Sequence, residues 1–252
     1  MTIQQEASAR DSQVPGDFAT PHVCEGGNLD CGSGLLLIIR RAMSAVPVGA
    51  VLEIRSSEIS VREDLPAWCR MTKNPYLGWR PGAESLSFFV RRGDEDTGQE
   101  ADYKRARDHR WSARVRWDGG LSAKVYCRNH SWTVGQPASF DLKDESPSAV
   151  ELLLSALGGC LAMTFQILAS RRGLKIDELE ITLGGKINNI FVFLGAETQG
   201  HGGFDDIAGT AYVSSMADDA ALEEIWKETL RVSPVMTTLS RGAKVDINIK
   251  TV

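Results

Sequence analysis

Residues 147–173, PSAVELLLSALGGCLAMTFQILASRRG, decide how the rest of the chain is read. Ser146 before Pro147 is a helix start, and Arg171-Arg172-Gly173 is a helix stop, so about six turns of helix are punctuated at both ends. Leu152, Leu153, Leu154, Leu157, Leu161, Met163, Phe165, Ile167 and Leu168 cover more than one face of that helix. The pattern predicts a helix buried between two layers. It carries one cysteine, Cys160, which reads either as a small core hydrophobe or as a reactive thiol. Gly158-Gly159 bears on the choice, because each glycine inside a helix costs about 1 kcal/mol relative to alanine. Something must approach the helix closely there, either another helix or a pocket beside the sulfur.

Ser146-Pro147, then Glu151 through Cys160 (ELLLSALGGC), then Arg171-Arg172-Gly173-Leu174, resembles the cysteine helix of the OsmC/Ohr superfamily. The resemblance extends over about residues 110–250. It implies a domain-swapped homodimer of α+β subunits with packed central helices and a peroxidatic thiolate at the position of Cys160. Better-studied members reduce organic hydroperoxides through a sulfenic acid that a second cysteine resolves. In the stretch matching that second cysteine, Arg231-Val232-Ser233-Pro234-Val235, this chain has Ser233, so the resemblance implies an external thiol reductant. The peroxidase branches also supply a glutamate and an arginine to the thiolate. Glu151 lies nine residues before Cys160, on the opposite side of a continuous helix. It either reaches a partner's site or serves as a first-turn acid favoured by the helix dipole. Among Arg114, Arg116 and Arg128, Arg128 is taken as the candidate guanidinium.

Composition bounds the possibilities. The chain has 252 residues, 42% hydrophobic, with a net charge of −5, enough for a core and without a bulk field that selects nucleic acid or a membrane surface. No apolar run reaches about 18 residues without interruption, and MTIQQEASARDSQVPGD has no apolar signal region, so a cytoplasmic chain is expected. Cys24, Cys31, Cys69, Cys127 and Cys160 form no CxxC pair, which suits a reducing compartment. His22, His109, His130 and His201 form no ligand spacing, so neither a metal nor another cofactor is expected.

Residues 1–20 read as a disordered tail and 21–92 as a β-α-β-α-β two-layer sandwich: a strand ending near Leu29, helix Leu35–Ser44, strand Val51–Arg55, helix Val61–Lys73 and a strand near Ser85–Val90. Its landmark is Asn28-Leu29-Asp30-Cys31-Gly32-Ser33-Gly34, running straight into the first helix. A cysteine there meets the positive end of the helix dipole, which lowers a thiol pKa; the alternative is a flexible turn with Ser33 as cap. Leu29-Asp30, Val48-Gly49 before Val51-Leu52-Glu53-Ile54, and Asp64-Leu65-Pro66-Ala67-Trp68-Cys69 resemble the TusA/SirA sulfur carriers, whose cysteine carries a persulfide. Cys31 matches that cysteine once a gap is allowed, and Gly32 and Gly34 replace both prolines of the family's Cys-Pro-x-Pro.

Residues 93–109 read as an acidic, solvated linker followed by a basic lead-in. Residues 110–252 read as the OsmC-like α+β domain: a hairpin of Trp111–Trp117 with Ser122–Val134, the Cys160 helix, a strand Glu178–Leu183, Lys186–Leu194 as another strand or part of one, a strand Ile207–Val213, a helix Ala217–Leu230, a short helix from Ser233 to about Leu239, and a last strand Ala243–Val252. The chain is thus α+β in both halves. Three functions are expected to compete: a hydroperoxide-reducing thiol enzyme using Cys160, a sulfur relay using Cys31 and Cys160 with a sulfur-transfer protein as partner, and a structural or regulatory dimer whose thiol chemistry has decayed.

Overall fold

The computed structural model describes residues 22–82, 85–94, 104–136 and 145–251, so the predicted tail and most of the linker lie outside the described residues. The chain divides into two compact units, Met1–Arg110 with Ile167–Leu174, and Trp111–Gln166 with Lys175–Val252.

In the first unit, β1 (His22–Gly27) pairs in parallel with β2 (Val51–Ser56). Strand β4 (Leu86–Arg91) runs antiparallel to both β2 and β3 (Tyr76–Pro81), giving the order β1-β2-β4-β3. Helices α1 (Leu36–Ser44) and α2 (Val61–Met71) supply the second layer. In α2, Val61, Leu65, Trp68 and Cys69 are buried at spacings of four, seven and eight, the stripe a helix needs to cover a sheet. They pack in one cluster with Ile39 and Met43 of α1, with Leu52 and Ile54 of β2, and with Phe88 and Val90 of β4. The α/β alternation is as expected, but β3 is an addition. The strand tolerates Gly78 and Pro81 because it lies at the sheet edge and slips register between Tyr76 and Gly78.

Residues Cys31–Leu35 form a kinked turn in front of α1, in which Leu35 N donates to Asp30 O at 3.2 Å and Gly34 has φ 109° and ψ 2°. An ideal Cβ at Gly34 would meet nothing within 4 Å, so the constraint is backbone conformation and not crowding. Gly34→Pro, which would restore a proline of the sulfur-carrier motif, would force φ to about −65° and is expected to destabilise this unit by about 1–3 kcal/mol. Urea unfolding of the full chain checks this; a midpoint equal to wild type would show that the left-handed turn is dispensable.

The second unit opens with a three-stranded meander, β5 (Arg114–Trp117), β6 (Ala123–Cys127) and β7 (His130–Val134). The single strand expected over Ser122–Val134 is thus two strands. Cys127 pairs with His130 across a turn at Arg128-Asn129, in which Arg128 takes φ 52°. Helix α3 (Ala149–Arg171) follows, then β8 (Glu178–Ile187) and its antiparallel partner β9 (Phe204–Ser214). Of Lys186–Leu194, Lys186 and Ile187 finish β8 and the rest is not strand: the Asn189 side chain accepts a hydrogen bond from Phe191 N at 3.0 Å and caps a short helix, α4 (Ile190–Phe193). Helices α5 (Asp219–Val232) and α6 (Pro234–Arg241) close the unit.

Two expectations about burial are corrected. Only one stripe of α3 is buried, Leu157, Leu161, Phe165 and Ala169, against neighbours that include Trp226 of α5, whose ring lies 6.1 Å from that of Phe165. Met163 on another face is 63% exposed. Among the described residues the second layer is missing, and by length and composition alone α3 is apolar enough to cross a membrane. The predicted final strand is not formed either. Residues 242–251 carry no secondary structure, and Val245, Ile247 and Ile249 are exposed. Alternation specifies which side chains share a face, but a strand also needs an edge to pair with.

Candidate functional site

Helix α3 begins with a reciprocal cap. Ser148 Oγ accepts from Glu151 N at 3.3 Å, while Glu151 Oε2 accepts from Ser148 N and from Ser148 Oγ, both at 2.7 Å. This Ser-x-x-Glu box satisfies two helix-end donors at once. The Glu151 carboxylate is thus engaged at the start of its own helix, as a first-turn acid.

Nine residues on, the Cys160 sulfur is half-buried and accepts a hydrogen bond from Ser233 Oγ at 3.1 Å. Ser233 is fully buried at the junction of α5 and α6. Its backbone fixes it there: Ser233 N donates to Thr229 O at 2.9 Å, Ser233 O accepts from Thr237 N at 2.9 Å, and Pro234 opens α6. Neither helix end uses the Ser233 side chain as a cap, which leaves the hydroxyl for the sulfur. A cysteine whose sulfur receives an O–H donor while part of it faces solvent can act as a nucleophile.

The two glycines before Cys160 border a cavity of about 360 Å³ lined by Leu154, Ser155, Gly158, Ala162, Ile181 and Leu183 among others. An added Cβ at Gly158 would lie 3.3 Å from Leu183 Cδ1, whereas one at Gly159 would meet nothing within 4 Å. This pocket lies on a different face of α3 from the Cys160 sulfur, so it is not the pocket beside the sulfur that the glycines suggested.

The other candidates have the following surroundings. Arg128 is exposed at the β6–β7 turn, and the Arg114 guanidinium lies 4.5 Å over the Tyr126 ring. Cys127 Sγ donates to Ser112 O at 3.6 Å. Cys31 belongs to the first unit, at the wall of a cavity of about 400 Å³ that also includes Arg40, Trp68, Arg105 and His109. Burial, then the charges of Asp64 and Asp30, push its thiol up to about 11. Desolvation and nearby carboxylates raise a thiol pKa, against the lowering that a helix start favours. Among the described residues, no group of three or more His, Cys, Asp or Glu side chains is arranged to hold a metal ion.

Burial likewise pushes Cys24 up to about 11 and Cys69 up to about 12. A thiol with a folded pKa above its unfolded value of about 9 favours the folded state below pH 9 and loses that contribution as pH rises toward 11 or 12. The urea midpoint of the first unit should therefore fall as pH rises above about 9, and Cys69→Ala should flatten that slope. An unchanged slope in the variant would assign the loss to other groups.

The sequence flagged Ser233 only as the occupant of a cysteine's position, not as the partner of Cys160. The signal that could have found it is Ser-Pro at a helix junction facing the Cys160 helix, but side-chain direction at a junction is not readable from sequence.

A family model described as OsmC-like protein matches residues 142–248. Among solved structures, an OsmC-like protein from Mycoplasma pneumoniae aligns at TM-score 0.46 and 17% identity, covering 57% of this chain and 97% of that one. An organic hydroperoxide resistance protein OsmC from Legionella pneumophila aligns at TM-score 0.40 and 14% identity, covering 54% of this chain and 91% of that one. A Bacillus subtilis protein described as a candidate sulfur carrier, YrkF, is 34% identical over 62 residues, which is 25% of this chain. This chain spans 34% of that relative's length. The Cys160 helix, its capping box and the helix pair that carries Ser233 all fall inside the matched range, so residues 142–248 form an OsmC-like domain, in a chain whose N-terminal part is similar to a sulfur carrier.

Proposed function

We propose that the chain is a thiol-dependent redox protein in which Cys160 reduces organic hydroperoxides with an external thiol as reductant. The observation that carries this is the contact between the Cys160 sulfur and the buried Ser233 hydroxyl at 3.1 Å, which gives a half-exposed cysteine a donor for negative charge. Ionised Cys160 attacks the terminal peroxide oxygen, the O–O bond breaks, and the alkoxide leaves as the alcohol on taking a proton, so that the sulfur becomes a sulfenic acid. Ser233 has no thiol to resolve it. One small thiol displaces water to form a mixed disulfide on Cys160; a second releases the reduced cysteine and the small-molecule disulfide. The uncovered apolar faces of α3 and of residues 245–249 support a homodimer through this domain, and five free cysteines suit a reducing cytoplasm. Light scattering in detergent-free buffer checks the dimer; a chain that stays in solution only with detergent would favour a membrane instead. The test of the activity is hydroperoxide consumption by the reduced protein with excess small thiol, wild type against Cys160→Ala.

A sulfur relay through Cys31 is favoured by the similarity to YrkF over 62 residues. The raised Cys31 thiol and Gly34 in place of a motif proline count against it. After incubation with a cysteine desulfurase and cysteine, a gain of one sulfur in mass on Cys31 would support that reading.

A further inference from the structure

The Ser233 hydroxyl is a buried polar group, and a buried hydroxyl without a partner costs about 1–3 kcal/mol. Its only side-chain hydrogen bond shown is to Cys160 Sγ, 73 positions away in the chain. A neutral thiol sulfur is a weak acceptor, whereas a sulfur anion is a strong one, so this bond is worth more when Cys160 is ionised. The junction geometry makes the arrangement rigid: both helices that meet at Ser233 are anchored by backbone bonds, and the hydroxyl is not shared with a cap.

We propose that Ser233 is a positioning residue for Cys160, its hydroxyl holding negative charge on the sulfur. At the position where the family motif has an electron-donating cysteine, this chain has a hydrogen-bond donor. The inference rests on reading Cys160 as a redox thiol and assigns that thiol's partner. Removing the hydroxyl leaves a methyl group in an already buried site, so Ser233→Ala should keep its fold.

The test reads the sulfur directly, without peroxide. In Ser233→Ala, alkylation of Cys160 by iodoacetamide at neutral pH, followed by peptide mass spectrometry, should slow about tenfold, and the ultraviolet thiolate absorbance should fall with it. Ser233→Thr keeps a hydroxyl and should stay within about threefold of wild type. Alkylation of Cys24 and Cys69, which are buried in the other unit, serves as the internal control and should not change. Equal Cys160 rates in wild type and Ser233→Ala, or a threonine variant as slow as the alanine one, would overturn the inference. A wild-type protein inert to hydroperoxide would remove the peroxidase reading and leave this comparison standing.

Discussion

Cys160→Ala protein should consume cumene hydroperoxide no faster than buffer containing the same thiol, while Cys31→Ala keeps the wild-type rate. The expectation follows from the two thiols' surroundings. Cys160 is half-exposed with an O–H donor 3.1 Å from its sulfur, whereas burial, Asp64 and Asp30 keep Cys31 protonated at neutral pH. Removing the nucleophile removes the covalent route entirely, so the loss should span orders of magnitude. The substitution is mild for the fold, since alanine is the best helix former and the site is not fully buried. Without added thiol, wild type should consume about one peroxide per chain and stop, because Ser233 offers no thiol. Undiminished consumption in Cys160→Ala would end the proposal.

Ser233→Cys should convert the single-cysteine site into one that resolves itself. The present oxygen lies 3.1 Å from Cys160 Sγ, and a disulfide needs sulfurs about 2.05 Å apart, a difference that a small side-chain rotation covers. After one equivalent of hydroperoxide, the sulfenic acid on Cys160 and the introduced thiol should lose water and form a disulfide, leaving the protein two hydrogens lighter. A dithiol should then support turnover better than a monothiol. The bond would close a loop of 73 residues, and chain entropy assigns such a loop about 4 kcal/mol of stabilisation in the oxidised protein. An oxidised variant that retains sulfenic acid, or forms only mixed disulfides, would show that the two side chains cannot meet in the required geometry. The same result would leave the hydrogen-bond role of Ser233 untouched, since that role asks only for a donor at contact distance.

The central helix was legible because its signals are local. Pro147 and Arg171-Arg172-Gly173 punctuate it, and the helix runs over Ala149–Arg171. The α/β order of the first unit was legible for the same reason, since periods near 3.6 and 2 are written in consecutive residues. What failed is instructive in the same terms. Tyr76–Pro81 became a strand despite Gly78 and Pro81 because an edge position excuses both. The strand over Ser122–Val134 broke at Arg128, whose left-handed φ no propensity announces for arginine. Residues 243–251 alternate like a strand yet pair with nothing among the described residues.

Sequence alone determined where the long helices lie, that the chain has two α+β parts, and that Cys160 and Cys31 are the thiols worth weighing. Each of these depends on neighbours within one or two turns of chain. Only the tertiary structure decided what each thiol meets: a buried hydroxyl from a helix junction 73 residues away for Cys160, two carboxylates and a core for Cys31. The reactivity of a sulfur is set by desolvation and by donors or charges within a few ångströms, and those neighbours come from distant parts of the chain brought together by folding.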